Sequence, residues 1–157
     1  METSGLVFIK SGVDSPDAQK MLEELNESLI ALLGHNGTAH VCYDDFSHEK
    51  AFFLVGYDAG IPVCCAGVRR MDDTTGEIKR VYARKNGKGI GAALMNALEA
   101  YAGEIGYRHL VLECRDGNRH AIEFYQRNGY VPCAQYPPYS GVSDAVCLEK
   151  WLTAKPS

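Results

Sequence analysis

The chain opens with a short apolar run, Leu6-Val7-Phe8-Ile9, that ends before Gly12 and reads as a buried first strand. Ser15 and Pro16 then stand where an N-cap and a first helical residue belong. Met21, Leu22, Leu25, Leu29, Leu32 and Leu33 recur at helical spacing until Gly34 stops the pattern. His35 to Lys50 is polar and rich in His, Asp and Gly, a loop or a short second helix. Two apolar runs, Ala51 to Tyr57 and Ile61 to Val68, flank Asp58-Ala59-Gly60 and predict a hairpin. Asp72 to Gly76 is the next turn, which makes Glu77 to Ala83 a third antiparallel strand. In it the apolar parity slips, because Ile78 falls on one face and Val81 and Ala83 on the other. A β-bulge near Lys79 and Arg80 accounts for the slip, and bulges gather beside active sites.

A long helix follows, with Ile90, Leu94, Ala97, Leu98, Tyr101 and Ile105 on its inner stripe and Gly106 at its end. His109 to Cys114 is a strand, and Asn118 caps a last helix that carries Ala121, Ile122 and Tyr125 on one face and ends at Gly129. Tyr130-Val131 and Ala145 to Leu148 are the final strands, separated by the aromatic, proline-rich segment Tyr136 to Gly141. This order predicts an α/β domain whose mixed sheet has helices on both faces.

At 157 residues the chain is expected to be one domain, residues 1–157. Sixteen Lys and Arg against twenty Asp and Glu leave a net charge of −4, so nucleic acid and anionic membrane are not expected partners, and any anion site is local. No apolar run reaches membrane-spanning length and the first residues lack a signal-peptide pattern, so a cytoplasmic location is expected. The six cysteines form neither a C-x-x-C pair nor a zinc-like cluster; they read as buried, reduced thiols, with Cys64 and Cys65 on opposite faces of a strand.

The local anion site is visible. Lys79, Arg80, Arg84, Lys85 and Lys88 run without an acid into Gly87-Lys88-Gly89-Ile90-Gly91-Ala92 at a helix start, where glycine amides and the helix N-terminus converge on a phosphate. A Walker A loop does not fit, since Gly89 follows Lys88 and Tyr82 stands where its first glycine belongs. Gly87, Gly89 and Ala92 satisfy a dinucleotide fingerprint formally, with Glu113 some twenty residues on, but the preceding strand is charged and bulged rather than buried and parallel.

Arg80-Val81-Tyr82-Ala83 leading to Asn86-Gly87-Lys88-Gly89-Ile90-Gly91-Ala92, followed by Asn118, Ala121 and Phe124-Tyr125-Gln126-Arg127-Asn128-Gly129-Tyr130, resembles the GNAT superfamily of N-acetyltransferases. Asn86 stands where Arg or Gln is usual. The resemblance implies a GNAT-type mixed, mostly antiparallel sheet with the bulge at the acyl-CoA site, and acetyl-CoA as acyl donor without a metal. It implies that the backbone of Val81, Tyr82 and Ala83 pairs with the pantetheine arm. It further implies that Asn86, Gly87, Lys88, Gly89, Ile90, Gly91 and Ala92 hold the pyrophosphate, with Asn118 on the cofactor arm. Read from the residues alone, Asn118 is equally a simple cap, and Tyr125 a packing residue.

By the same resemblance Tyr125 matches the general acid for the leaving thiolate, and Glu77 and Glu113 compete as general base. Transfer would be direct, to a primary amine of a small molecule such as an amino acid or amine. A protein N-terminus or lysine as acceptor, and a non-catalytic acyl-CoA sensor, stand as alternatives; a homodimer is left open. Tyr136 to Ser143 resembles a segment bordering the acceptor channel.

Overall fold

A computed structural model describes residues 5–34, 46, 48–85 and 89–153. The elements are β1 (Leu6–Lys10), α1 (Pro16–Leu33), β2 (Phe52–Asp58), β3 (Ile61–Arg70), β4 (Thr75–Ala83), α2 (Ile90–Glu104), β5 (His109–Arg115), α3 (Arg119–Arg127), β6 (Val131–Pro132) and β7 (Ala145–Trp151). They form one sheet in the order β1-β2-β3-β4-β5-β7-β6. Every neighbouring pair is antiparallel except β4 and β5. This is the mixed, mostly antiparallel architecture expected. The loop or helix expected between His35 and Lys50 lies almost wholly outside the described residues, and so does Cys42.

Local chemistry explains the boundaries. Ser15 takes an extended backbone and its hydroxyl accepts from the Ala18 amide at 3.2 Å, Pro16 occupies the first helical position, and Gly34 closes α1 in the left-handed region at φ 81°. Ala59 and Gly60 have φ of 52° and 83°, so both central residues of the β2–β3 turn are left-handed, the twist a two-residue hairpin needs. Asp72 closes the next turn by accepting from the Thr74 and Thr75 amides.

The first strand departs from expectation. β1 is an edge strand, with Val7 55% and Ile9 49% exposed and only Leu6 and Phe8 turned to the core. An apolar run cannot report its position in the sheet order, which distant pairings decide. Two cores flank the sheet. α2 and α3 cover one face through Leu94, Leu98 and Tyr125 against Leu110 and Leu112, and α1 covers the other through Met21, Leu22 and Leu25 against Phe53 and Val55. Cys64 belongs to the first core and Cys65 to the second, as adjacent strand residues must; Cys114 and Cys147 are buried as well, but Cys133 is only partly so. Among the described residues no helix is long and apolar enough to cross a membrane.

Candidate active site

The parallel β4–β5 ladder is short: it joins Thr75 to His109, Gly76 to Leu110 and Glu77 to Val111, and ends there. Beyond Glu77 the two strands diverge. The cause lies on the other side of β4, where the register with β3 shifts between Cys65 and Gly67 and Arg80 adopts φ 60°. This is the bulge that the parity slip predicts, and it bends β4 away from β5. Past the bulge Tyr82 and Ala83 pair again with β3, and Val81, Tyr82 and Ala83 leave their β5 side open for an extended ligand to add as a strand.

The divergence opens a cavity of about 870 Å³, lined by residues from both faces of the sheet. At one end α2 begins: Gly89 is its N-cap in the left-handed region, no side chain among the described residues caps it, and Gly89, Ile90 and Gly91 line the cavity. The first-turn amides are therefore offered to a ligand rather than to a protein oxygen, which suits a pyrophosphate. Asn86, Gly87 and Lys88 lie outside the described residues. Gly91 has a packing role too, since a Cβ there would come 2.8 Å from the Phe124 ring.

Asn118 caps α3, accepting from the Ala121 amide at 3.3 Å, and also lines the cavity, so its two readings are compatible. Tyr125 sits on the α2/α3 face, packed edge-on against Phe124 and Tyr130, and its hydroxyl makes no hydrogen bond among the described residues. Burial first, and then nearby Cys114, push its phenol well above the ordinary value.

The two glutamates face the opposite side of the sheet, under very different conditions. Glu77 is 1% exposed and its oxygens are engaged: Arg69 Nε donates to Oε1 at 2.5 Å, the Tyr136 hydroxyl donates to Oε2 at 2.8 Å, and Lys79 Nζ lies 3.8 Å from Oε2. Glu113 is less committed. Arg115 Nε comes within 2.7 Å of its Oε2, but that oxygen accepts no aligned hydrogen bond, so the contact is one of charge. Burial is the main cause raising the Glu113 carboxyl, opposed by the charges of Arg115 and Lys79 and by the weak, misaligned approach of the Arg115 N–H, and assisted by the charge of Glu77.

Around them the structure shows pairings between residues whose partners the sequence does not reveal. Tyr136 and Tyr139 arch over β4, with Lys79 Nζ donating to the Tyr139 hydroxyl at 2.7 Å, so the 136–139 segment is pinned to the bulged strand. Arg84 is held by Glu24 of α1 through Nε at 2.9 Å and through its terminal nitrogen at 2.6 Å, and Tyr82 donates to the same carboxylate at 3.0 Å. The only sequence signal for this polar face is alternation: Glu77 with Lys79, and Glu113 with Arg115, are spaced two apart and share a side of their strands.

Known proteins share this fold. A family model described as Acetyltransferase (GNAT) family matches residues 18–130. Among solved structures, a protein of Klebsiella pneumoniae assigned as an acyl-CoA N-acyltransferase superposes with TM-score 0.77 at 24% identity, covering 94% of this chain and 98% of that one. A GNAT family acetyltransferase from Elizabethkingia anophelis with acetyl-CoA bound gives 0.70 at 15% identity, over 96% of this chain and all of that one, the latter being 100%. An aminoglycoside 6'-N-acetyltransferase complexed with coenzyme A gives 0.71 at 15% identity, over 96% and 99%. At these identities the likeness is one of fold.

Proposed function

Because the chain belongs to the GNAT acetyltransferase family, we propose that it transfers the acetyl group of acetyl-CoA directly to a primary amine of a small molecule. The observation that carries this reading is the gap between β4 and β5, which joins an open helix N-terminus and Tyr125 on one face to Glu113 on the other. Adjacent residues of β5 mark the two sides: Cys114 lies in the core with Tyr125, and Glu113 points to the α1 face. An acyl donor entering from α2 and an acceptor entering from α1 meet in that gap.

The residues divide the work accordingly. The amides of Gly89, Ile90 and Gly91 take the pyrophosphate, the open edge of Val81 to Ala83 takes the pantetheine arm, and Asn118 flanks it. The described cradle fits the group, because a cavity-facing helix start without a side-chain cap is short of an anion. Glu113 accepts a proton from the amine as its nitrogen bonds to the acyl carbon; the carbon–sulfur bond breaks, and Tyr125 protonates the sulfur. A phenol near 10 and a thiol near 8.5 are matched in water. Glu113 is the better base of the two glutamates, since its Oε2 accepts no aligned hydrogen bond and burial raises its carboxyl above the ordinary value. Glu77, with both oxygens engaged, holds the 136–139 segment in place.

The test is acetyl-CoA binding and turnover. Acetyl-CoA should raise the melting temperature by mass action, whereas NADH and ATP should not, and incubation with amines should release free CoA. A shift with NADH and none with acetyl-CoA would return the dinucleotide reading.

A further inference from the structure

The apolar stripe of α1 changes its surroundings halfway along the helix. Its first turns, through Met21, Leu22 and Leu25, are buried against Phe53 and Val55 of the sheet. Leu29, Leu32 and Leu33 continue the stripe at helical spacing but line the cavity, where Leu29 is partly buried and Leu32 is 54% exposed. Leu33 reaches the β5–α3 turn, 3.6 Å from the Cβ position of Gly117, so this wall runs from the sheet to the end of the strand that carries Glu113. The polar side chains on the same face are bonded to one another. Glu77 holds Arg69 and Lys79, Lys79 also donates to the Tyr139 hydroxyl at 2.7 Å, Arg80 donates to the side-chain oxygen of Asn26, and Arg115 lies between Glu113 at 2.7 Å and Asp144 at 3.1 Å. Beside the Glu113 carboxylate, the surface that this face leaves for a ligand to bury is chiefly the leucine wall.

We infer that the acceptor is a primary amine carried on a neutral, apolar group, an alkyl- or aralkylamine, with its nitrogen at Glu113 and its hydrocarbon against Leu29, Leu32 and Leu33. The inference rests on the acetyltransferase reading above and deepens it. Covering exposed leucine with hydrocarbon is favourable in proportion to the apolar area removed from water. A hydroxyl, amide, carboxylate or second ammonium on the same group would meet either leucine, where it loses its water without a partner, or a polar side chain whose existing bond it must break. The nitrogen is the one polar group of such an acceptor, and it is served by the Glu113 Oε2, which accepts no aligned hydrogen bond.

Turnover by the full chain at saturating acetyl-CoA tests it, read as free CoA and as acetylated product by mass spectrometry, with kcat/KM expressed per unprotonated amine. The panel is the unbranched series from ethylamine to pentylamine, the polar-ended aminobutanol and diaminobutane of nearly the same length as pentylamine, and the peptide leucyl-glycyl-glycine. Along the series kcat/KM should rise by about 4-fold per methylene, the value of burying one CH₂ group. Pentylamine should exceed aminobutanol, diaminobutane and the peptide by about 10-fold or more, the cost of a polar group buried without a partner. In Leu32→Ser, at a half-exposed helical position where folding is retained, the pentylamine-to-ethylamine ratio should drop by about 4-fold or more. A flat series, a polar-ended amine or the peptide used as well as pentylamine, or an unchanged ratio in folded Leu32→Ser overturns the inference; if that variant does not fold, the wild-type series decides alone. Failure of the whole panel in a protein that still binds acetyl-CoA also overturns it while leaving the acetyl-CoA reading intact, whereas absence of acetyl-CoA binding removes both.

Discussion

Glu113 and Arg115 stand two residues apart on one face of β5 with Nε and Oε2 separated by 2.7 Å, yet the pair is not aligned as a hydrogen bond. A charge contact without that alignment offsets only part of the desolvation of the carboxylate, so the folded state holds the Glu113 proton more tightly than the unfolded chain does.

The pH dependence follows from that sign. For a carboxyl raised in the folded state, stability is fully present below the ordinary value of 4.5 and declines as pH rises through the window up to the folded value. Glu113→Gln removes this decline, so its melting temperature at pH 7 should equal or exceed that of the wild type. Its kcat/KM should fall by about 10²–10⁴-fold and lose its acidic limb. A wild-type acidic limb persisting in Glu113→Gln would leave Glu113 without the role of base.

Glu77→Gln should show the reverse balance. The substitution leaves Arg69 without its buried counter-charge and weakens the bond from Tyr136, so stability in urea should drop by roughly 1–3 kcal/mol. The acidic limb should remain where it was, because Glu77 has no oxygen free to take the amine proton.

Glu24 provides a third pH signature, of opposite sign. Its carboxyl is lowered chiefly by the hydrogen bond from Arg84, so the stability it contributes is present above 4.5 and is lost as pH falls through the folded value. Glu24→Gln should flatten the acid-induced fall in melting temperature. It should also weaken acetyl-CoA binding, since Arg84 and Tyr82 fix the end of β4 beside the helix start proposed to take the pyrophosphate.

The two described glycines at the start of α2 should separate binding from packing. Gly89 has φ 68° with no atom of the described residues within 4 Å of its Cβ position, whereas Gly91 abuts Phe124. Gly89→Asp should fold with a melting temperature near wild type, because the left-handed strain of about 1–2 kcal/mol is offset in part by an acidic N-cap. Its acetyl-CoA affinity, measured by calorimetry, should nonetheless fall by at least 10-fold. Gly91→Ala should lose stability first, through its clash with the Phe124 ring.

What sequence made legible here was local or periodic. Ser15-Pro16 and Gly34 bracket α1 because capping is decided within a few residues, and the parity slip between Ile78 and Val81 located the bulge because register is a period-two property. What it concealed depends on sheet order and on long closures. Val7 and Ile9 are exposed because β1 lies at the edge, and the commitment of Glu77 depends on Tyr136, 59 residues away in sequence. Lys79 and Arg80 read in sequence as part of a basic approach for the cofactor, yet they are buried on the acceptor face, since only the bulge determines where their side chains turn.

Tyr125 is the sharpest test of chemistry against packing. Its hydroxyl has no partner among the described residues, so Tyr125→Phe orphans no other group, and the ring keeps its edge-on contacts with Phe124 and Tyr130. Stability should therefore stay within about 0.5 kcal/mol of wild type. The phenol, raised well above its ordinary value, remains protonated at every pH at which the protein is assayed, which is the form a general acid needs. Removing it should lower kcat by roughly 10²–10⁴-fold with acetyl-CoA affinity unchanged, since the lost proton matters only as the carbon–sulfur bond breaks. The discriminating control is an acyl donor whose leaving thiol is more acidic: if Tyr125 supplies the proton, the Tyr125→Phe defect should shrink with that donor, because a more stable thiolate needs less help to depart. A defect of constant size would assign the loss to altered packing.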